Sequence, residues 1–423
     1  MSDHACTGCP EYRTLSRRGF LRAGAAAAAG ALAAPAWMPR VAFGNGVALG
    51  RDVLVTIFLR GGADGLSMCV PFTEPVYYAL RPTTAVPPPG SGADGAINLD
   101  GFFGLPPAMA PLLDAWHAGR LAIVHACGLN DPTRSHFDAQ RYMELGGNDG
   151  PALFDGWMAR HLASVGAGGG LVRGLAHGHA IPASFWSGDR VAAVPNPASY
   201  GLIGDEATRR ARLDMLVHEY VRAGGQLRFA AINTRATVQL LDEVDFDGYE
   251  PLNGAVYPAT AFGAALRTTA AMLRARIGVE AVAIDNGGWD LHTQMYPNGQ
   301  GPMALRMAAL AQGLAAFHRD VIDGVGGVTV VVMSEFGRRI AENGGHGTDH
   351  GHGNAMFVLG RHVRGGRVVT QWPGLNDLYD GIDLRITTDY RDVLAEVLAR
   401  RIGNQNLGAV FPNYTPVFRG VMY

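Results

Sequence analysis

A mixed α/β fold built on a mostly parallel sheet is predicted by three observations on this 423-residue chain. Short apolar runs alternate with longer segments of helical spacing. The runs are continuously apolar, which is what a strand covered on both faces shows. Polar residues of metal-ligand type follow the C-terminal end of each run, where ligands bind in open parallel sheets. Strand and helix in alternation over this length argue for a sheet sandwiched between helix layers.

The N-terminus comes first. Ser16-Arg17-Arg18-Gly19-Phe20-Leu21 precedes an alanine-rich run from Ala23 to Ala34. Charged, weakly apolar and then small residues is the order of a cleavable leader, and the paired arginines mark twin-arginine (Tat) export. A membrane anchor needs roughly 20 strongly apolar residues; this run is interrupted by Gly24 and Gly30 and closed by Pro35. Residues 1–44 are therefore read as the signal peptide, cleaved after Ala36 or near Gly44, and 45–423 as the mature domain. The expected partner during export is the Tat translocase, and the expected location is the periplasm or beyond, with no stable membrane anchor. Such export carries folded chains, often because a metal is inserted inside the cell.

Four strands follow: Val53–Leu59, Leu121–His125, Val279–Ile284 and Val328–Met333. Helical patterns run over Pro106–His117, Ser135–Leu145, Glu206–Ala223, Ala259–Ile277, Pro302–Ile322 and Asp389–Arg401. The region from about 150 to 254 has no convincing core strand and reads as a helical insertion or cap. No repeat at a fixed period stands out.

Composition excludes one class of partner. A net charge of -2 and a pI near 6.7 offer no basic field to nucleic acid. Of the four cysteines, Cys6 and Cys9 lie in the leader; Cys69 and Cys127 are left as one bridge or two buried thiols, and spacing leaves both open.

The chemistry sits behind the strands. The first is followed by Arg60-Gly61-Gly62-Ala63-Asp64-Gly65, the second by Thr133-Arg134-Ser135-His136, the third by Trp289-Asp290-Leu291-His292. The fourth runs into Ser334-Glu335-Phe336-Gly337-Arg338 and then a glycine-rich stretch bearing His346, Asp349, His350 and His352. Imidazole and carboxylate on a backbone free to wrap are natural ligands of zinc and similar ions. Gly-x-Gly-x-x-Gly and a Walker lysine are absent around Asp64, so a nucleotide site is poorly supported. Ser135 is open to two readings: N-cap of the next helix, or a hydroxyl ionised by a neighbouring cation, with Arg134 steadying the developing charge and Thr133 as substitute nucleophile.

These motifs, together with the leader, Phe58–Gly65, Arg134–Gln140 and Gly347–Gly351, resemble the bacterial exported proteins of domain of unknown function family 1501, related to the alkaline phosphatase and sulfatase superfamily. The resemblance implies an alkaline phosphatase-like three-layer sandwich. It also implies one or two divalent ions (Zn, Ca, Mn or Mg) held by Asp64, Asp290, His292, Glu335, Asp349, His350 and His352, with Ser135 as nucleophile. Glu335 stands where the superfamily usually has an Asp-His pair. Asn130 stands where a modifiable cysteine would be, which speaks against a formylglycine sulfatase.

The expected function is that of an exported metal-dependent hydrolase of small-molecule or polymer-borne phosphate or sulfate esters. The alternative is an exported binding or assembly protein on a degenerate hydrolase scaffold. An exported redox enzyme lacks both a dinucleotide fingerprint and a cysteine cluster.

Overall fold

Every residue of the first apolar run points into one of two separate cores. In β1 (Val53–Leu59), Val55, Ile57 and Leu59 pack with Leu266, Met307, Leu310 and Leu314, whereas Leu54 and Phe58 pack with Met143, Trp157, Val393 and Leu394. Successive side chains of a strand face opposite sides of its sheet, so apolar residues at six of the seven positions, all but Thr56, require cover on both. Each large side chain so buried contributes about 1.5–3 kcal/mol.

The computed structural model describes residues 52–423 apart from 148–152, 167–169, 202–204, 224 and 326. The expected leader, 1–44, lies outside the described residues. Those that are described fall in one unit, Pro39–Tyr423.

β1 lies inside a nine-stranded sheet. In chain order the others are β2 (Ile97–Asn98) and β3 (Gly104–Leu105), which form a separate pair, then β4 (Leu121–Gly128), β5 (Gly174–His177), β6 (Val191–Ala193), β7 (Ala281–Asn286), β8 (Val328–Met333), β9 (Asn354–Gly360), β10 (Arg367–Val369) and β11 (Thr388–Asp389). The order across the main sheet is β10-β4-β9-β8-β1-β7-β5-β6, with β11 also beside β4. In this sheet β9 pairs antiparallel with β4 and β8, and the other pairings are parallel; β2 and β3 are antiparallel. The C-terminal ends of β1, β4, β7 and β8 and the N-terminal end of β9 therefore share one rim.

Several sequence expectations are revised. The 150–254 region does contribute to the sheet: β5 and β6 pair in parallel, and β5 pairs with β7. β5 reads Gly-Leu-Ala-His, too short and too poor in branched residues to register as a strand; a bare Gly174 is needed because a Cβ there would come within 2.8 Å of Phe185. The helical part of that region is confined to short α-helical and 3₁₀ turns and two long helices, Glu206–Ala223 and Gly225–Asp242. β9, fully buried, starts at the end of the glycine-rich loop, where the sequence pattern predicts no strand. The segment Pro107–Leu112 is a 3₁₀ turn, consistent with Pro111 lacking an N–H to donate. The 302–322 and 389–401 helices end in π-helical turns at His318–Ile322 and Leu398–Ile402.

Cys69 and Cys127 are free and buried, and burial raises both thiols well above their usual pKa. Among the described residues no helix is long and apolar enough to cross a membrane.

One buried ion pair fastens the loop after β1. Asp64 caps α1 (Gly65–Met68) by accepting from the Leu66 N–H at 3.1 Å, and takes two N–H donors of the fully buried Arg81, at 2.5 and 3.2 Å. Arg81 donates onward to the carbonyls of Ile340 and Arg339. Removing one partner of a buried pair leaves an uncompensated charge. Arg81→Leu is expected to lower unfolding free energy by roughly 3–5 kcal/mol in urea titrations; a loss too small to measure would show that the pair does not hold this loop.

Candidate metal centre

Four side chains from three of the rim loops meet at one oxygen. Asp290 Oδ1 lies 2.9 Å from His292 Nε2, 3.3 Å from His350 Nε2 and 3.4 Å from His136 Nε2. His292 Nε2 and His350 Nε2 are 3.0 Å apart. His136, Asp290 and His350 each offer a ligand atom within 4.8 Å of the others.

The outer nitrogen of each ring is already committed to an oxygen. His350 Nδ1 lies 2.8 Å from the Arg134 carbonyl, which can only accept, so Nδ1 carries the proton. His136 Nδ1 faces Glu335 Oε1 at 2.7 Å, and His292 Nδ1 faces Asp349 Oδ1 at 3.2 Å. A neutral ring protonated at Nδ1 shows a bare lone pair at Nε2. With the rings neutral, three lone pairs and a carboxylate oxygen thus converge, while Arg338 donates to that oxygen at 2.6 Å. Acceptors turned on one another repel unless protons or a cation lie between them.

Protons supply part of that relief. Burial pulls the His136 imidazole down, but hydrogen bonds to Asp290 and Glu335 more than offset it and raise its pKa to about 9. Burial pushes Asp290 up, yet its bonds to His136, His292, His350 and Arg338 hold it far below the usual carboxylate range. Glu335 is fully buried, which raises its pKa, but His136, Gln140 and backbone donors bring it down to about 2.

Local sequence explains each placement. Ser135 is the N-cap of α2 (His136–Leu145), so His136 enters the site from the first turn. Gly61, at φ +116°, lies where a Cβ would be 2.5 Å from the Asp290 nitrogen. Gly347 is pressed against the His292 backbone, where a Cβ would be 2.3 Å from its carbonyl carbon. These glycines serve close backbone packing more than flexibility. Asn343 ties the same loop by donating to the His292 carbonyl at 2.9 Å and to Asp349 Oδ1 at 3.0 Å. Phe336 packs beneath both His136 and His350, ring centroids 4.8 and 5.0 Å away.

Of the residues expected to ligate, Asp290, His292 and His350 are brought together. Glu335 and Asp349 lie one layer behind, as partners of His136 and His292. Asp64 is taken up by Arg81, Ser67 and the α1 N-terminus. His352 is buried against Tyr379 with ring centroids 4.1 Å apart; burial, and then the charge of Arg134, lower its pKa to about 4. The Arg134 guanidinium is turned to Asp383 and Asp380, at 2.5 and 3.2 Å. The residue that sequence reading passed over is His136. Its signal was available, since it follows the nucleophile candidate at the start of a helix beyond a buried strand.

A family model described as a protein of unknown function (DUF1501) matches residues 233–411, a stretch that holds the Asp290, Glu335 and His350 motifs but not β1 or His136. No curated protein matches the chain. Among solved structures, that of Ps i-CgsB in complex with k-i-k-neocarrahexaose shares 12% identity over 85% of this chain and 74% of that one, with a TM-score of 0.38. The C-terminal periplasmic domain of EcEptC from Escherichia coli, in complex with Zn, shares 11% over 76% of each chain, with a TM-score of 0.33. The phosphonate monoester hydrolase of Agrobacterium radiobacter shares 10% over 87% and 79%, also at 0.33. Likeness this slight decides nothing about chemistry.

The shifts fix a pH dependence for the metal-free protein. His136 has a folded pKa of about 9 against an ordinary 6.5, so its contribution is full below 6.5 and lost as pH rises through 9. Glu335, at about 2 against 4.5, contributes above 4.5 and loses its contribution as pH falls through 2. Urea unfolding in EDTA should show stability declining between pH 6.5 and 9, and His136→Gln should flatten that decline; an unchanged slope in the variant would contradict the assignment.

Proposed function

We propose that His136, Asp290, His292 and His350 hold one divalent cation and that the chain is an exported metal-dependent hydrolase of phosphate or sulfate esters, on an alkaline phosphatase-like three-layer scaffold. The observation that carries this is the convergence of three imidazole Nε2 atoms on one carboxylate oxygen, each with its Nδ1 fixed by an oxygen behind it. Metal-ligating histidines have that second partner almost always. The fit is also metric. Donors bound at 2.0–2.1 Å to a tetrahedral zinc stand about 3.3 Å apart, and the nitrogens here stand 2.9–3.4 Å from the oxygen.

Imidazole-rich donors favour zinc over calcium or magnesium, which prefer oxygen. One ion is a better reading than two, because Asp64 and Glu335 have their oxygens engaged elsewhere. A bound cation would polarise the ester and lower the pKa of a nearby hydroxyl. Ser135 is the hydroxyl best placed to attack: the residue before it gives its carbonyl to His350, and the residue after it is His136. Its cap bond to the Asp138 N–H is long, 3.5 Å, so little holds the side chain. Thr133 is tied more closely, its Oγ1 accepting from the Ser135 N–H at 3.2 Å. The pairing of Arg134 with Asp383 and Asp380 holds the turn that carries Ser135, and the charge-steadying role expected of the guanidinium would require it to leave them.

That displacement of Arg134 favours a second reading, an exported binding or assembly protein that keeps the ion and lacks turnover. Turnover of phosphate and sulfate monoesters and diesters with added zinc, manganese or calcium separates the two.

Purified protein is expected to carry about one equivalent of divalent metal, and less than roughly a tenth would sink the centre. His350→Ala should lose the metal. Ser135→Ala should keep it and lower hydrolysis by several orders of magnitude, as losing a nucleophile does; full activity in that variant would remove Ser135 alone.

A further inference from the structure

We infer that Gln140 is a positioning residue that sets the strength of His136 as a metal ligand, acting through Glu335; the inference rests on the metal centre proposed above. Gln140 lies one helical turn beyond His136 on α2, and residues four apart share a helix face. Both therefore reach the same buried carboxylate. Glu335 Oε1 accepts from His136 Nδ1 at 2.7 Å, from Gln140 Nε2 at 2.8 Å and from the Gly61 N–H at 2.8 Å. Ser334 Oγ meets the other oxygen at 2.9 Å.

The Gln140 amide has only one workable orientation. Its Nε2 faces a carboxylate, which only accepts, and its Oε1 faces the Arg60 guanidinium at 3.3 Å, which only donates. Arg60 is itself fixed by Glu144, a further turn along α2, at 2.7 Å, and by Asp285 at 2.9 Å. His136, Gln140 and Glu144 thus form one stripe on the helix, and Arg60 braces its far end. The chain of donors runs from Arg60 to Gln140 to Glu335, and Glu335 receives the His136 N–H. With Gln140 present, the Glu335 lone pairs are shared among fixed donors, so the carboxylate cannot swing away from the imidazole it orients.

The test is made on the full-length protein with zinc and cobalt(II). Gln140→Met fills the space without a donor and should weaken zinc affinity about 10- to 100-fold, the usual effect of losing a partner behind a ligand. Its far-UV circular dichroism should be unchanged and the cobalt(II) visible spectrum altered. Arg141→Gln, exposed on the same helix, should change neither. Unaltered affinity and spectrum in a folded Gln140→Met protein would overturn the inference. Should that variant fail to fold, wild-type protein still decides: the NMR signals of the Gln140 side-chain amide should move on zinc addition together with those of the His136 ring, and an amide that stays still overturns the inference. Wild-type protein that binds neither metal would instead refute the metal centre itself.

Discussion

The rim is held together by one buried guanidinium. Arg338 is 2% exposed and directs its N–H groups to five acceptors: the carbonyls of Gly62, Thr348, Gly61 and Trp289 and the Asp290 carboxylate, at 2.6, 2.8, 2.5, 3.4 and 2.6 Å. A guanidinium has five N–H donors in a fixed planar fork, so one side chain dictates the relative positions of the loops after β1, β7 and β8. Its hydrogen bond adds to those of His136, His292 and His350, which together outweigh burial and keep Asp290 ionised. Lysine, with a point charge and no fork, could not do the same.

Around that fork, the segment Ser334–Arg338 assigns a separate task to every residue. Ser334 donates to the Leu59 carbonyl at 2.6 Å and accepts from Ala63 at 2.9 Å, closing β8 against the end of β1. Glu335 orients His136, Phe336 supports two imidazoles, and Gly337 lets the Gly353 backbone approach, its carbonyl oxygen 1.9 Å from where a Cβ would stand. The result is layered: nitrogens inside, oxygens behind them, and a second rank of donors behind the oxygens. Such networks are costly if any member is unpaired, which is why the composition of this segment looks so specific.

The four strands were legible because burial on both faces leaves a short, nearly continuous apolar run, rich in branched residues and bounded by glycine and polar loop residues, too short to be a core helix. β5, β6 and β9 were not, since the first two draw their place from backbone pairing with neighbours and the third follows a loop whose glycines mask its start. At the site, residue type and position after a strand singled out Asp290, His292 and His350, which the fold brings within hydrogen-bond distance of one another. They could not tell which carboxylate faces the imidazole Nε2 atoms and which faces Nδ1: Glu335 and Asp349 have the same chemistry as Asp290 and differ only in which way they face. Asp64 shows the limit most clearly. Its partner, Arg81, lies 17 residues on and belongs to no motif.

The reversed direction of β9 has an architectural outcome. A parallel connection must carry the chain to the far end of the sheet and back, whereas the link from β8 to β9 leaves and re-enters at the same end. The 334–353 segment therefore begins and ends at the rim where Asp290, His136 and His350 meet. Because this excursion leaves and returns at one end, Ser334, Glu335, Arg338, Asn343 and His350 all reach one rim from a single connection, and no separate crossover has to supply them.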